Sequence, residues 1–403
     1  MGSYVARQPI FNKSLKVFGY ELLFRVNLDS TSFQGEIDGD AATSETIMNT
    51  FHDIGIDRVT NGNRAFINFT ENLLLDEVAT ILPSRILVVE ILENILPTEK
   101  ILNACRTLKK RGYLIALDDF VMTPEYMPFL SVANIVKIDF MNTPKDIIKP
   151  FVKSIKSRPL IFLAEKLETY DDFEMAKNMG FSLFQGYFFS KPVIVTTNTP
   201  LTPMKLHRMQ LIALSFDPNV SFSKMANVIK QDIALSYRLF RVVNSAFFGL
   251  RYTVKNIRQA LSILGMDEIK KWITLISMSE LKDDKPNELI TVSLVRARFL
   301  ELIAPLVGMK KSSDDLFMVG LMSLIDALMD LPMDEIFKRT MISPNISQPL
   351  LTGEGRFADL LSIITAYESS DWDKSQYIAE IYNLSLDKVF DIYLQAIDWA
   401  NQL

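Results

Sequence analysis

The 403-residue sequence predicts an α/β barrel of the TIM type followed by an all-helical domain. Three observations lead there. Between residues 17 and 192, short β-branched apolar runs alternate with segments of helical period, which is the pattern of βα units feeding a parallel sheet. The runs are continuously apolar at their starts, as befits strands covered by helices. From about residue 204 they give way to long amphipathic segments with 3.6-residue spacing.

The strand candidates, in order, are VFGYELLF (17–24), AFINF (65–69), ILVVEIL (86–92), YLIALDDF (113–120), NIVKIDF (134–140), PLIFLAEKL (159–167) and LFQGYFF (183–189). Their polar residues fall at the C-terminal ends: Asn68, Glu90, Asp118 with Asp119, Lys137 with Asp139, Glu165, and Gln185. Any one of these reads as a strand-end turn former. Recurring at strand after strand, they read instead as the rim of a parallel barrel, where strand ends converge. The stretch VIVTTNTPLTP (193–203) has no apolar period and reads as a linker, dividing the chain into 1–195 and 196–403. Beyond it, MKLHRMQLIALSF, FSKMANVIKQDIALSYRLFRVVNSAFF, NIRQALSILGMDEIKKWITLISMSEL and LITVSLVRARFLELIAPLVG predict helices, several preceded by Asp or Ser as N-caps.

Composition narrows the chemistry. A net charge of -5 without a dense Lys/Arg stripe argues against a nucleic-acid partner. No run of 18 uncharged apolar residues and no leader-like start is seen, so the expectation is a cytoplasmic protein with no membrane span. Cys105, alone in the chain, reads as a small buried hydrophobe. With only His52 and His207, a His-rich zinc centre is excluded. Carboxylates with an amide at a barrel mouth form an all-oxygen donor set, suited to Mg²⁺ or Mn²⁺. Up to two such ions could clamp a phosphodiester for in-line attack, with Lys137 near the water.

The motifs of the first half carry a family resemblance. RQPIF (7–11), GYELLFR (19–25), FINFT (66–70), EILE (90–93), DDF (118–120), KID (137–139), AEKLET (164–169) and QGYFFSKP (185–192) resemble, in order, the motifs of EAL domains, the cyclic-di-GMP-specific phosphodiesterases. The resemblance implies metal contacts from Glu21, Asn68, Glu90, Asp118 and Asp119. It implies Lys137 and Glu165 beside the attacking water, and Gln8, Arg25 and Gln185 facing the nucleotide. Glu93 and Glu168 would brace loops. The chain also departs from the family. After the aspartate pair it has VMTP where active members resemble G-T-G with small residues, and Lys166 stands at a glycine-like position of the A-E-G-V-E-T segment. Losing those glycines removes backbone conformations that only glycine adopts freely, and Pro124 stiffens the turn. The expectation is therefore a receptor or scaffold with a degenerate site, the alternative being an active phosphodiesterase that linearises cyclic-di-GMP.

The second half resembles HDOD domains, relatives of metal-dependent HD phosphohydrolases that lack the metal site. QDIALSYRLFRVVNSAFFG (231–249) and IRQALSILG (257–265) carry the likeness, and in FMVGLMSLID (317–326) Ser323 and Leu324 occupy the places of the relatives' His-Asp pair. Asn244 and Ser245 read as a hydrogen-bonding pair, and Met318, Met322, Met329 and Met333 as core filling. The resemblance implies signal transduction through a protein partner of this domain, and a homodimer is left open.

Overall fold

The computed structural model describes residues 3–26, 55–155, 157–191, 203–217, 219–245, 253–281, 285–339 and 342–402. By contacts the chain forms two compact units, one of Met1–Lys191 with Ser362–Leu403 and the other of Pro192–Leu361. The expected division at 195/196 thus differs for the last forty or so residues, which group with the barrel. His52, most of the linker and the stretch after Ser245 lie outside the described residues.

The first unit is a closed eight-stranded barrel in sequential order. Its strands are β1 (Ser3–Asn12), β2 (Val17–Val26), β3 (Arg64–Phe69), β4 (Leu87–Ile91), β5 (Leu114–Leu117), β6 (Ile135–Asp139), β7 (Ile161–Glu165) and β8 (Leu183–Gln185). From β2 to β8 neighbours run parallel. β1 is the exception, antiparallel to both β2 and β8. Two strands are shorter than the apolar runs that predict them. Asp118–Phe120 leave β5, and after Gln185 the chain turns at Gly186 into a 3₁₀ segment, Tyr187–Ser190. Only glycine fits there, because at φ 141° a Cβ would lie 2.2 Å from the Leu167 carbonyl oxygen.

Helices fill the connections among the described residues: α1 (Ile56–Thr60), α2 (Glu71–Leu75), α3 (Glu99–Lys110), α4 (Lys145–Ser154) and α5 (Tyr170–Met179). Thr70, Thr98 and Thr169 N-cap α2, α3 and α5 with their hydroxyls. Cys105 on α3 is fully buried in the layer between strands and helices. Burial pushes its thiol up to about 12, which leaves it inert as a nucleophile.

Successive strand side chains face opposite ways, so the barrel has two apolar layers. The outer one, facing the helices, is the large core containing Ala65, Ile67, Val89, Ile115, Val136, Ile138 and Phe184. The inner one is a plug of Ile10, Phe66, Val88, Ala116, Ile135, Leu163 and Leu183. At the β2 place in that plug stands Gly19, where a Cβ would sit 2.9 Å from the Phe66 ring. Its bareness makes room for the phenyl group.

Among its described residues the second unit is all helical: α6 (Pro203–Phe216), α7 (Phe222–Gln231), α8 (Ile233–Val243), α9 (Ile257–Leu264), α10 (Met266–Ser279), α11 (Asn287–Ile303), α12 (Ser313–Met322), α13 (Ile325–Met329), α14 (Met333–Arg339) and α15 (Pro344–Thr352), followed by the start of α16 (Arg356–Glu368). Ser221, Asp232 and Asn256 cap α7, α8 and α9 through side-chain oxygens. Leu235, Leu239, Ile257, Leu261 and Ile273 centre one core, while Met318, Met322 and Met329 are buried as expected of core residues and Met333 is only half-buried. Asn244 does not pair with Ser245. Its amide bonds the Val254 backbone in both directions, at 2.9 and 2.7 Å, clasping the chain ahead of α9.

The end of α16, with α17 (Trp372–Ile381) and α18 (Leu386–Asn401), returns to the barrel. A β1–β2 hairpin has no crossover helix, so the outer faces of those strands need cover from elsewhere. These helices supply it. Tyr367 is fully buried and donates its hydroxyl to the Val5 carbonyl, the Tyr4 hydroxyl reaches Asp387, Arg58 pairs with Asp398, and Leu394 joins the outer core.

Candidate active site

Period-2 geometry builds the site. Two residues beyond each plug residue, toward the C-terminal end of its strand, stand Glu21 (after Gly19), Asn68, Glu90, Asp118, Lys137, Glu165 and Gln185. β1 runs the other way, so its contribution is Gln8, two residues before Ile10 and paired in register with Glu21. Asn68 and Glu90 are register partners, as are Glu90 and Ala116. One tier of the barrel is apolar and the next is almost wholly polar.

Lys137 stands at the centre of that tier and is fully buried. Its Nζ lies 2.6 Å from Asp118 Oδ1, 2.7 Å from Glu90 Oε1, 2.8 Å from Glu165 Oε1 and 3.4 Å from Glu21 Oε2. Gln185 Nε2 donates to Glu21 Oε2 at 2.7 Å and to Gln8 Oε1 at 3.3 Å. Burial works against the lysine's charge, but Glu165, Glu21, Glu90 and Asp118 outweigh it and hold the ammonium protonated well above the ordinary lysine range. The acids feel the opposite pull. Burial drives the Glu90 carboxyl well above the usual carboxylate range in spite of Lys137. For the same reason Glu165 is pushed up to about 8.

Above this tier is a cavity of about 420 Å³, onto which Gln8, Glu21, Asp118, Asp119, Glu165 and Gln185 open. Glu90 and Lys137 lie beneath its floor, both fully buried. Arg25 takes a different partner, pairing at 3.0 Å with the exposed carboxylate of Asp373 on α17. Glu168 pairs with Lys191 at 3.3 Å, and Glu93 is exposed.

The stretch after β5 is fastened at both ends. The Asp118 amide donates to the Ile91 carbonyl at 2.9 Å and the Phe120 amide to the Lys137 carbonyl at 3.0 Å. Between them Asp119 has φ 36°, in the left-handed region that Asp tolerates better than most residues. Its Oδ2 receives Lys166 Nζ at 3.0 Å, and the same ammonium reaches Asp139 Oδ2 at 2.7 Å. Lys166 itself has φ 54°. Asp139 also accepts the amides of Met141 and Asn142, and although burial raises it, the bonds from Lys166 and Asn142 outweigh that and hold its carboxyl below the usual range.

Do these residues suit a divalent cation? Among the described residues no three His, Cys, Asp or Glu side chains already converge as metal ligands, and the Lys137 ammonium stands among the four acids. The donor chemistry nonetheless fits. Asn68 Oδ1, Glu90 Oε2, Asp119 Oδ1 and Glu165 Oε2 are buried oxygens without a hydrogen-bond donor. Buried acceptors of this kind are costly unless something positive meets them. In the second unit the corresponding question has another answer. Ser323 accepts from Arg296 and donates to the Gly320 carbonyl, and His207 lies 3.5 Å from Asp232, half-exposed.

Each member of the polar tier is a residue that the sequence singles out, whereas Lys166 stands out there only as a departure from glycine. The sequence does not mark Ser369, which lines the cavity from beyond α16, or Asp373. No local signal in the sequence links either residue to the mouth.

Comparison with known proteins agrees with this architecture. The EAL domain model matches residues 3–192 and the HDOD domain model residues 200–335. The chain is 35% identical over its whole length to the uncharacterized protein YuxH of Bacillus subtilis (strain 168), spanning 99% of that relative. It is also 35% identical over its whole length to the cyclic di-GMP phosphodiesterase CdgJ of Vibrio cholerae serotype O1, spanning 93% of it. Among solved structures, a standalone versatile EAL protein from Vibrio cholerae O395 in its c-di-GMP bound form is 22% identical, covering 47% of this chain and 92% of that one, with a TM-score of 0.37. No helix among the described residues is long and apolar enough to cross a membrane. From its motifs, its barrel and its full-length relatives, the chain belongs to the family of proteins that join an EAL domain to an HDOD domain.

Proposed function

We propose that the chain binds cyclic-di-GMP at the barrel mouth and acts as a receptor, passing the signal through its HDOD domain to a protein partner. The observation that carries this reading is the fastened Asp118–Phe120 stretch, with Asp119 held by Lys166 and the stiff VMTP sequence following. Gln8 and Gln185 present amides to the nucleotide from the cavity wall. Arg25 is a guanidinium suited to a diester phosphate, and it would exchange Asp373 for that phosphate. Glu21, Asn68, Glu90 and Asp118 would hold a Mg²⁺ or Mn²⁺ ion, which when bound supplies Lewis-acid polarisation of a phosphate oxygen. Lys137 orders the four acids around itself whether or not chemistry follows.

A second reading, an active phosphodiesterase, is favoured by the name of the relative CdgJ. In it Glu165, with its carboxyl near 8, takes the proton of the attacking water, a value suited to proton transfer around neutral pH. Incubation of the pure protein with cyclic-di-GMP and Mn²⁺ separates the two. The receptor reading expects saturable heat in calorimetry and no linear dinucleotide. Rapid linear product that vanishes in Glu90→Ala would establish the hydrolase, and no heat at high micromolar nucleotide would remove both.

A further inference from the structure

We propose that the Lys166 ammonium is the resident cation of the outer carboxylates Asp119 and Asp139, so that the mouth takes up one divalent cation per chain rather than two. The inference rests on the cation reading above and deepens it. Two lysines divide the acids between them. Lys137 serves Glu21, Glu90, Asp118 and Glu165 in the inner tier, while Lys166 serves the outer pair at 3.0 and 2.7 Å.

The backbone gives the second pairing its weight. Lys166 and Asp119 both occupy the left-handed region, at φ 54° and 36°. For residues with a Cβ this conformation is unfavourable, because the Cβ crowds the neighbouring carbonyl oxygen. Such strain persists where the surroundings over-determine it. Lys166 follows Glu165, whose carbonyl receives the Phe140 amide, and precedes Leu167, whose amide donates to the Gln185 carbonyl. The main chain is thereby fastened on both sides of Lys166, whose Nζ reaches Asp119 Oδ2 at 3.0 Å. Asp139 is equally fixed, its Oδ1 accepting the amides of Met141 and Asn142 and its Oδ2 accepting Asn142 Nδ2 at 2.7 Å.

Lys166 and Asp119 are partly exposed, at 45% and 37%, so burial is not the source of the ammonium's grip. Simultaneous bonds to two prealigned carboxylates are. A divalent cation at Asp119 would have to remove that ammonium from both carboxylates and then sit beside it. In the inner tier four acids share the single Lys137 ammonium, and Asn68 Oδ1 and Glu90 Oε2 are left without a donor, so that tier keeps acceptors for an ion beside its lysine.

Isothermal titration of the full chain with MnCl₂, checked by counting free Mn²⁺ in equilibrium dialysis, tests this without using activity. One ion is expected per wild-type chain, and two for both Lys166→Gly and Lys166→Met. Glycine relieves the positive φ and methionine keeps the bulk, so failure of one variant to fold leaves the other informative. Lys166→Arg should remain at one. Two ions on the wild type, or one ion on the folded variants, would overturn the role of Lys166 alone. Uptake of no ion by the wild type would overturn the cation reading together with it.

Discussion

Each unit buries a lysine or arginine among acids, yet the two clusters are built to opposite accounts of charge. In the barrel one ammonium faces four carboxylates, and several of their oxygens meet no donor. In the helical unit, Arg208 on α6 bonds Asp232 at 2.8 Å and also meets Glu280, which Arg238 holds from the other side at 2.8 Å. There two guanidinium groups answer two carboxylates. Asp232 caps α8 and Glu280 closes α10, so the second cluster ties three helices together. The difference teaches how to tell a brace from a site. Balanced charge at element ends holds elements in place, whereas an unbalanced excess at a cavity is kept in spite of stability, as sites for ligands commonly are.

The comparison can be broken most forcefully at Lys137. Lys137→Met removes this ammonium from four acids, and leaving buried charges unpaired costs about 3–5 kcal/mol. Urea unfolding of the full chain should show that loss in the barrel transition. Next in size is a change of the opposite sign. Glu90→Gln removes one member of the acid excess, so it should leave the barrel unchanged or more stable by about 1 kcal/mol while abolishing nucleotide or metal uptake. Destabilisation of several kcal/mol would mean that the inner tier is a brace after all.

The smallest effect belongs to the balanced cluster. Asp232→Ala deletes a helix cap and should cost about 1 kcal/mol in the helical unit. Burial raises the Asp232 carboxyl, but the Leu235 amide and Arg208 outweigh that and hold it below the ordinary range. A depressed folded value means that its contribution is complete above the unfolded value of about 3.9 and disappears as pH falls through the folded one. The gap between wild type and variant in denaturation should therefore persist above about pH 5 and close in stronger acid. A gap that instead grew below about pH 4, where carboxylates titrate, would reverse the assignment.

Much of the site was legible because a strand writes its geometry into sequence at every second residue. Phe66 with Asn68, Val88 with Glu90, Ile135 with Lys137 and Leu163 with Glu165 each give one plug residue followed two places on by one polar residue. What was not legible depends on meetings across the chain. That β1 runs against its neighbours follows from a hairpin, whose apolar run resembles that of any other strand. That Lys166 bonds Asp119 requires two positive φ angles in loops separated by 46 residues, 120–165. That Tyr367 meets Val5 across a separation of 362 residues leaves no periodic trace near either.

The hairpin at the start of the barrel carries a consequence for how the molecule is made. Its outer face is covered by α16 to α18, so a nascent chain that has completed all eight strands still lacks the cover for Tyr4 and Val5. Domains usually fold as they emerge, N-terminal part first. This barrel must wait through synthesis of the entire intervening helical unit, with an apolar flank open to chaperones for some tens of seconds at ordinary elongation rates of about 5–20 residues per second.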